Sequence, residues 1–429
     1  MTIQPFKRTV ISVSYTHLTN GIRVVAEKID YLKSVSIGVW VGNGSRHERP
    51  EENGISHFIE HMVFKGTQHR SAAEIAGALD AVGGQINAFT AREYTCFYTK
   101  TLDAHASIAM DILSDMIFCP SFNEDDMALE RNVIEEEISL YEDSPEELVY
   151  DLYYRAVWGD SSMGRTILGT GKTLESIDSK KLREYMQSHY TSENMIISVS
   201  GNFDDGFFDE LEKYFGSRTL HNGKPYMPKA EFGGNVIVKT KDIEQVQLVV
   251  GFKGIDVMDD DSAYPLLVFN NVFGYGMSSR LFQNIREKEG LVYSVGAGHS
   301  AYIGTGSFDI AAGMNPANLE RVCSLIEKEI KTIKRDKLTK DEVERSKEML
   351  KGNYILSYES TGARMQGAGR SLLLDKPVYS QDEALKKIEA VNVDSVAEII
   401  DRVLDTSVFS AAVVGPVDIN KDLFNFISH

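Results

Sequence analysis

The chain has 429 residues, with 45 lysines and arginines against 63 aspartates and glutamates, a formal charge of −18, 42% hydrophobic residues and 3 cysteines. That is the composition of an ordinary globular protein with room for two or three cores, and it excludes a disordered, collagenous or coiled-coil chain. The acidic balance argues against a nucleic acid or an anionic membrane as partner, since both need a basic surface, and favours cationic ligands.

Cys96, Cys119 and Cys323 are odd in number and form no CxxC pair. Neither a disulfide framework nor a thiolate metal site is expected from them, and a reducing compartment fits. The opening MTIQPFKRTVISVSY lacks the apolar core of a signal peptide, and no later run approaches eighteen apolar residues. The expected location is therefore cytoplasmic, with no membrane span.

In chain order, VSIGVWV at 35–41 reads as a strand, residues 54–66 as a buried helix, 72–81 as a helix, and 85–102 as short successive strands. Helical patterns follow at 124–141 and 174–189, and the apolar run MIISVSGNFD at 195–204 closes the first half. A Gly/Pro/Lys-containing stretch at 221–234 reads as a linker. Beyond it come a strand at 246–252, short strands around 291–312, a helix at 318–335 and a closing run, FSAAVVGPVD at 409–418, that echoes the first. Matching strands at the start and end of each half point to a duplication. The expected architecture is α/β (α+β), two homologous domains, each a largely antiparallel sheet packed with helices, over residues 1–220 and 235–429. A doubly wound nucleotide-binding sheet is disfavoured because no GxGxxG or GxxxxGK[ST] follows a strand.

The segment that carries chemistry is GISHFIEHMVFKG at 54–66, apolar on nearly all sides, with Gly66 as its expected C-terminal stop. At about 100° per residue, His57, Glu60 and His61 share one arc of an otherwise apolar helix. Histidines at i and i+4 can hold one Zn²⁺ from a single helical face, and the order HxxEH is the inverzincin motif. A catalytic zinc usually takes a third protein ligand. The helix around ERNVIEEEISLY at 130–141 offers it: Glu130 and Glu137 lie about 20° apart on a face shared with Met127, Val133, Ile134, Ile138 and Tyr141, while Glu135 and Glu136 point away. Two carboxylates on an apolar face are costly unless paired or metal-bound. Helical phase leaves Glu130 and Glu137 as equal alternatives. Further on, Ser144 and Pro145 can start another helix, which sets Glu147 and Asp151 at i and i+4.

His57, Glu60 and His61 followed by Glu137, with GGQINAFTARE at 83–93, GRTILG at 164–169, GMSSRLF at 276–282 and REKEGLVY at 286–293, resemble the pitrilysin family of metallopeptidases. Within it the likeness is greatest to the β subunit of mitochondrial processing peptidase and its bacterial homologues. The resemblance implies a clamshell of two homologous domains, with one zinc per chain in the N-terminal half. It makes His57, His61 and Glu137 the zinc ligands and Glu130 the acid behind them. Glu60 is then the general base, and Arg286 and Tyr293 hold the substrate backbone. Asn87, Ala88, Phe89 and Thr90 would form an exposed edge to which an extended peptide adds as a strand. Glu147 and Asp151 would engage an arginine of a basic peptide near the cleaved bond. The implied activity is that of a zinc endopeptidase acting on unfolded or presequence-like peptides, as a homodimer. The alternative is a non-catalytic structural or partner subunit, since the family also contains core proteins without the metal site.

Overall fold

A computed structural model describes residues 12–417. The first eleven residues of the opening segment and Asp418, the last residue of the closing echo, lie outside the described residues. Contacts gather the described residues into two compact units: the first holds 12–135, 167–227 and 356–378, and the second holds 136–166, 228–355 and 379–417. Residues 219–235, spanning the expected linker, carry no helix or strand.

The sheet of the first unit comprises β1 (Ser12–His17), β2 (Arg23–Lys28), β3 (Ser34–Val41), β4 (Gln85–Thr90), β5 (Thr95–Leu102) and β6 (Met195–Gly201), in the order β1-β2-β6-β3-β5-β4. That of the second comprises β7 (Val236–Thr240), β8 (Val246–Lys253), β9 (Val292–Tyr302), β10 (Thr305–Met314) and β11 (Phe409–Gly415), in the order β7-β11-β8-β10-β9. Omitting β1, the two orders are the same walk along the chain. In each unit the first shared strand and the last run parallel, β2 with β6 and β7 with β11. All other neighbours are antiparallel. The echo between the ends of the two halves therefore reflects equivalent strands, β6 and β11. Both are covered on their two faces, which is why they read as continuous apolar runs rather than alternating ones.

The helices of the first half are α1 (Ile55–Met62), α2 (Ala72–Asp80), α3 (Ala106–Phe118), α4 (Glu124–Asp143), α5 (Pro145–Trp158), α6 (Gly171–Glu175), α7 (Ser179–His189) and α8 (Phe207–Leu211). Those of the second are α9 (Asp260–Phe273), α10 (Leu319–Asp336), α11 (Lys340–Ser357), α12 (Thr361–Leu373), α13 (Gln381–Ala390) and α14 (Val393–Val403). Three expectations are corrected. The single helix expected at 174–189 is two, because Asp178 accepts a hydrogen bond from the Lys181 N–H at 2.8 Å and caps a new start. α1 stops at Met62, four residues before Gly66. The buried face of α4 is also narrower than its helical phase implied: Met127, Glu130 and Ile134 are buried, but Val133 and Tyr141 are 50% and 38% exposed. The seam follows one i, i+3, i+7 row instead of a broad arc.

Two helices complete sheets built mainly by the other half of the sequence. α12 packs on β3 and β6 in the first unit. Gly369 makes this approach possible, because a Cβ there would lie 2.2 Å from the Trp40 indole nitrogen. Conversely, α5 lays Val149, Tyr153 and Val157 on Val249, Ala412 and Val414 of the second unit. α12 is further tied by a buried ion pair, Arg364 Nη1 to Glu27 Oε1 at 2.6 Å, with Ser200 Oγ donating to the other Glu27 oxygen at 3.1 Å. Removing one partner strands a buried charge, so Arg364→Ala is expected to lower unfolding free energy by roughly 3–5 kcal/mol. The double change Arg364→Met/Glu27→Gln should recover most of it. Urea denaturation of wild type and the two variants checks this.

Candidate metal centre

α1 is only eight residues long, and its start is held from outside. Gly54 precedes it at φ +95°, a conformation open to glycine, and a Cβ there would lie 2.7 Å from the Leu168 carbonyl oxygen. The buried Glu48 carboxylate accepts from the backbone N–H groups of Gly54 at 2.8 Å and Ser56 at 2.9 Å, and from Asn53 Nδ2 at 3.2 Å. It thereby satisfies N–H groups at the start of α1 that have no intrahelical partner. Burial pushes the Glu48 carboxyl above its ordinary value, and these hydrogen bonds partly offset it.

Along α1, His57 is buried and Glu60 and His61 are half-buried. The Nε2 atoms of the two histidines lie 3.2 Å apart, with ring centroids at 4.4 Å. Ligand atoms of His57, His61 and Glu137 all lie within 4.8 Å of one another. Burial, reinforced by the neighbouring His61, lowers the pKa of His57 to about 3, which keeps its imidazole neutral as a metal ligand requires. His61 Nδ1 meets Glu130 Oε1 at 2.8 Å, and Lys65 Nζ meets the other oxygen at 2.6 Å. With Glu130 as acceptor, His61 carries its proton on Nδ1 and turns the Nε2 lone pair toward His57. Both Glu130 and Glu137 ride on the unbroken helix α4. Of the two alternatives left by helical phase, Glu130 is engaged behind His61, and Glu137 joins the converging atoms.

Glu60 Oε2 accepts a 2.5 Å hydrogen bond from Thr90 Oγ1, at the end of β4. Burial pushes up both the Cys96 thiol and the Tyr190 hydroxyl, with the Glu60 charge adding to each. The carboxylate thus stands among groups held in their neutral forms.

The other residues singled out in the sequence fall as follows. β4, with Asn87 exposed and Ala88, Phe89 and Thr90 half-buried, is an edge strand of its sheet. Phe89 turns its ring edge-on to Trp40, with centroids at 5.9 Å. In the second unit, Arg286 lies in a π-helical turn, Phe282–Glu287, with its guanidinium 4.7 Å from the Phe282 ring centroid. Tyr293, near the start of the edge strand β9, is 61% exposed. α5 begins as expected, with Ser144 capping it and Pro145 in the first turn. Burial raises the pKa of Tyr141, and the charges of Glu147, Glu137 and Asp151 push it in the same direction. Sequence reading missed Lys65, Glu48 and the grip of Thr90 on Glu60. Lys65 carried a signal, standing four residues after His61. Glu48 had none.

Residues 23–171 match the family described as Insulinase (Peptidase family M16), and residues 176–350 match the Peptidase M16 inactive domain. The chain is 45% identical over 397 residues to a Bacillus subtilis protein named as an uncharacterized zinc protease, covering 92% of this chain and 97% of that one. It is 35% identical to a Streptomyces coelicolor protein of the same description, covering 95% and 90%. Among solved structures, a protease from Helicobacter pylori superposes with a TM-score of 0.86 at 20% identity, over 95% of this chain and 100% of that one. The chain belongs to peptidase family M16, the insulinase or pitrilysin family. Its relatives carry the name of zinc proteases, and among the described residues no helix is long and apolar enough to cross a membrane.

Beneath α5, the Tyr150 hydroxyl donates to the buried Asp309 carboxyl at 3.3 Å. Burial pushes Asp309 up to about 6, opposed by that hydrogen bond. Below about pH 4 the group is protonated in folded and unfolded chains alike; between pH 4 and 6 the unfolded chain ionises first, which costs the fold roughly 3 kcal/mol. Asp309→Asn is therefore expected to be more stable than wild type above pH 6, with the gap closing toward pH 4. Denaturant midpoints measured across that range check the sign.

Proposed function

We propose that the chain is a zinc endopeptidase whose metal is held by His57, His61 and Glu137. The observation that carries this reading is the convergence of their ligand atoms. Bonds of 2.0–2.1 Å to a tetrahedral zinc separate two nitrogens by about 3.3 Å, close to the 3.2 Å between the histidines. Zinc, when bound, supplies Lewis acidity that polarises a peptide carbonyl and makes water acidic near neutral pH. Glu60, one residue from His61 on the same face, takes the proton of the attacking water and passes it to the leaving amine. Thr90 holds the Glu60 carboxylate in place for that exchange. Glu130 orients His61, and Lys65 balances the Glu130 charge.

Substrate binding follows the family pattern. The edge position of β4 supports addition of an extended peptide along Asn87, Ala88, Phe89 and Thr90, through main-chain hydrogen bonds. Phe89, tucked against Trp40, stiffens that edge. We assign contacts with the substrate backbone to Arg286 and Tyr293. Glu147 and Asp151, whose charges both act on the Tyr141 hydroxyl, support a preference for a basic residue before the scissile bond, as in the processing peptidase β subunit that this chain resembles. Glu147 and Asp151 would take a guanidinium through charge-assisted, bidentate hydrogen bonds. The same reading takes the enzyme to be cytoplasmic, which three free cysteines support, and homodimeric.

Glu60→Gln is expected to keep its zinc while lowering kcat by roughly 10²–10⁴-fold on an unfolded peptide. Unchanged turnover would overturn Glu60 as the base, and zinc-loaded wild type without activity on any peptide would favour a non-catalytic subunit. Glu137→Gln should bind one equivalent of zinc fewer than wild type, whereas Glu135→Gln and Glu136→Gln should match wild type, as measured by elemental analysis of the purified proteins. For specificity, kcat/KM for matched Arg and Ala peptides should favour Arg in wild type, most strongly at low salt. The ratio should fall toward one in Glu147→Gln/Asp151→Asn.

A further inference from the structure

A second group of metal-type donors stands in the first unit and shares no residue with the centre just described. Ligand atoms of His69, Asp115 and Cys119 lie within 4.8 Å of one another, as close as those of His57, His61 and Glu137. Asp115 and Cys119 are buried and His69 is exposed, so the group opens to solvent on one side.

The fold holds the three donors together from two directions. Asp115 lies in the last turn of α3, and Cys119 follows that helix four residues later, its N–H donating to the Asp115 carbonyl at 2.9 Å. The segment leaving α1 is stitched to this helix end: Thr67 bridges to Pro120, and the Gln68 N–H donates to the Cys119 carbonyl at 2.9 Å. His69 is thereby laid against the carboxylate, with Nδ1 at 2.6 Å from Asp115 Oδ1. The other oxygen, Oδ2, accepts from Thr67 Oγ1 and Arg70 Nη1, each at 2.7 Å. Arg70 also pairs with Asp111 at 2.5 Å. Arg218 Nη1 points at Cys119 Sγ from 3.7 Å.

We infer that His69, Asp115 and Cys119 form a second metal site, for a divalent ion of the zinc type. Imidazole, carboxylate and thiolate are the three donor kinds that such an ion accepts, and the solvent side leaves a fourth position to water. Oδ1 turns from His69 to the ion while Oδ2 keeps its bonds to Thr67 and Arg70, the outer support that metal-ligating carboxylates usually have. Binding releases the thiol proton to solvent and moves the His69 proton from Nδ1 to Nε2, freeing the lone pair. The ion clamps the connection between α1 and α2 to the end of α3. A reading that looked only for paired cysteines passes over this site, because its sulfur is single and its partners are a histidine and an aspartate.

Cobalt distinguishes the two sites, since only the second has a sulfur donor. Metal-free full-length protein titrated with Co²⁺ should take up a second equivalent accompanied by a near-ultraviolet thiolate-to-cobalt charge-transfer band. Cys119→Ser should lose the band and that equivalent while keeping the other. His69→Ala, a change at an exposed side chain that spares the core, should lose the band at the cobalt concentration that saturates wild type. His57→Ala should keep the band and lose the other equivalent. Absence of the band from saturated wild type, or its survival in Cys119→Ser, would overturn the site without touching the assignment of the histidine pair on α1.

Discussion

The hydrogen bond between His61 Nδ1 and Glu130 governs the centre on α1. It selects the tautomer with its lone pair on Nε2, and it anchors α1 to α4 at the point where the imidazoles of His57 and His61 converge. A carboxylate as buried as Glu130 needs compensation, and it receives two charge-assisted contacts, one from His61 and one from Lys65. Once α4 is held by Glu130, Glu137 is fixed by helix geometry, two turns and about 10 Å further along the axis. A short helix with little stability of its own can carry this chemistry because Glu48 and Gly54 hold its start and Glu130 holds its end.

The duplication supplies the scaffold but not the chemistry. Each sheet follows one walk, yet only the helix after β3 carries HxxEH. α9, which follows β8 in the second unit, bears Asn270 and Asn271 among its buried residues and no histidine. Each sheet is finished by a helix from the other half of the sequence, α12 on the first and α5 on the second. The acidic helix α5 thus belongs to the second unit, whose first segment begins within α4 at Glu136.

How much of this is legible in the sequence depends on how local each cause is. HxxEH reads directly, because three residues within five positions share a helical face whatever lies around them. The start of α5 at Ser144 and Pro145 reads for the same reason, as do the strands β3, β6, β8 and β11, whose apolar runs mark burial on two faces. Glu130 and Glu137 cannot be separated from phase alone, since seven residues nearly complete two turns; their roles depend on where His61 and Lys65 stand. The exposure of Val133 and Tyr141 escapes the pattern for the same reason, as does the capping of α1 by Glu48. The exchange of α5 and α12 is a matter of long-range packing, which periodicity does not encode.

The central claim is that α1 and α4 together hold one zinc through His57, His61 and Glu137. Anomalous diffraction at the zinc edge from crystals of the zinc-loaded protein tests it most directly. The account predicts a peak at bonding distance from both Nε2 atoms and a Glu137 oxygen, with Glu130 still bound to His61 Nδ1. A peak coordinated by Glu130 in place of Glu137, or none between the two histidines, would contradict it.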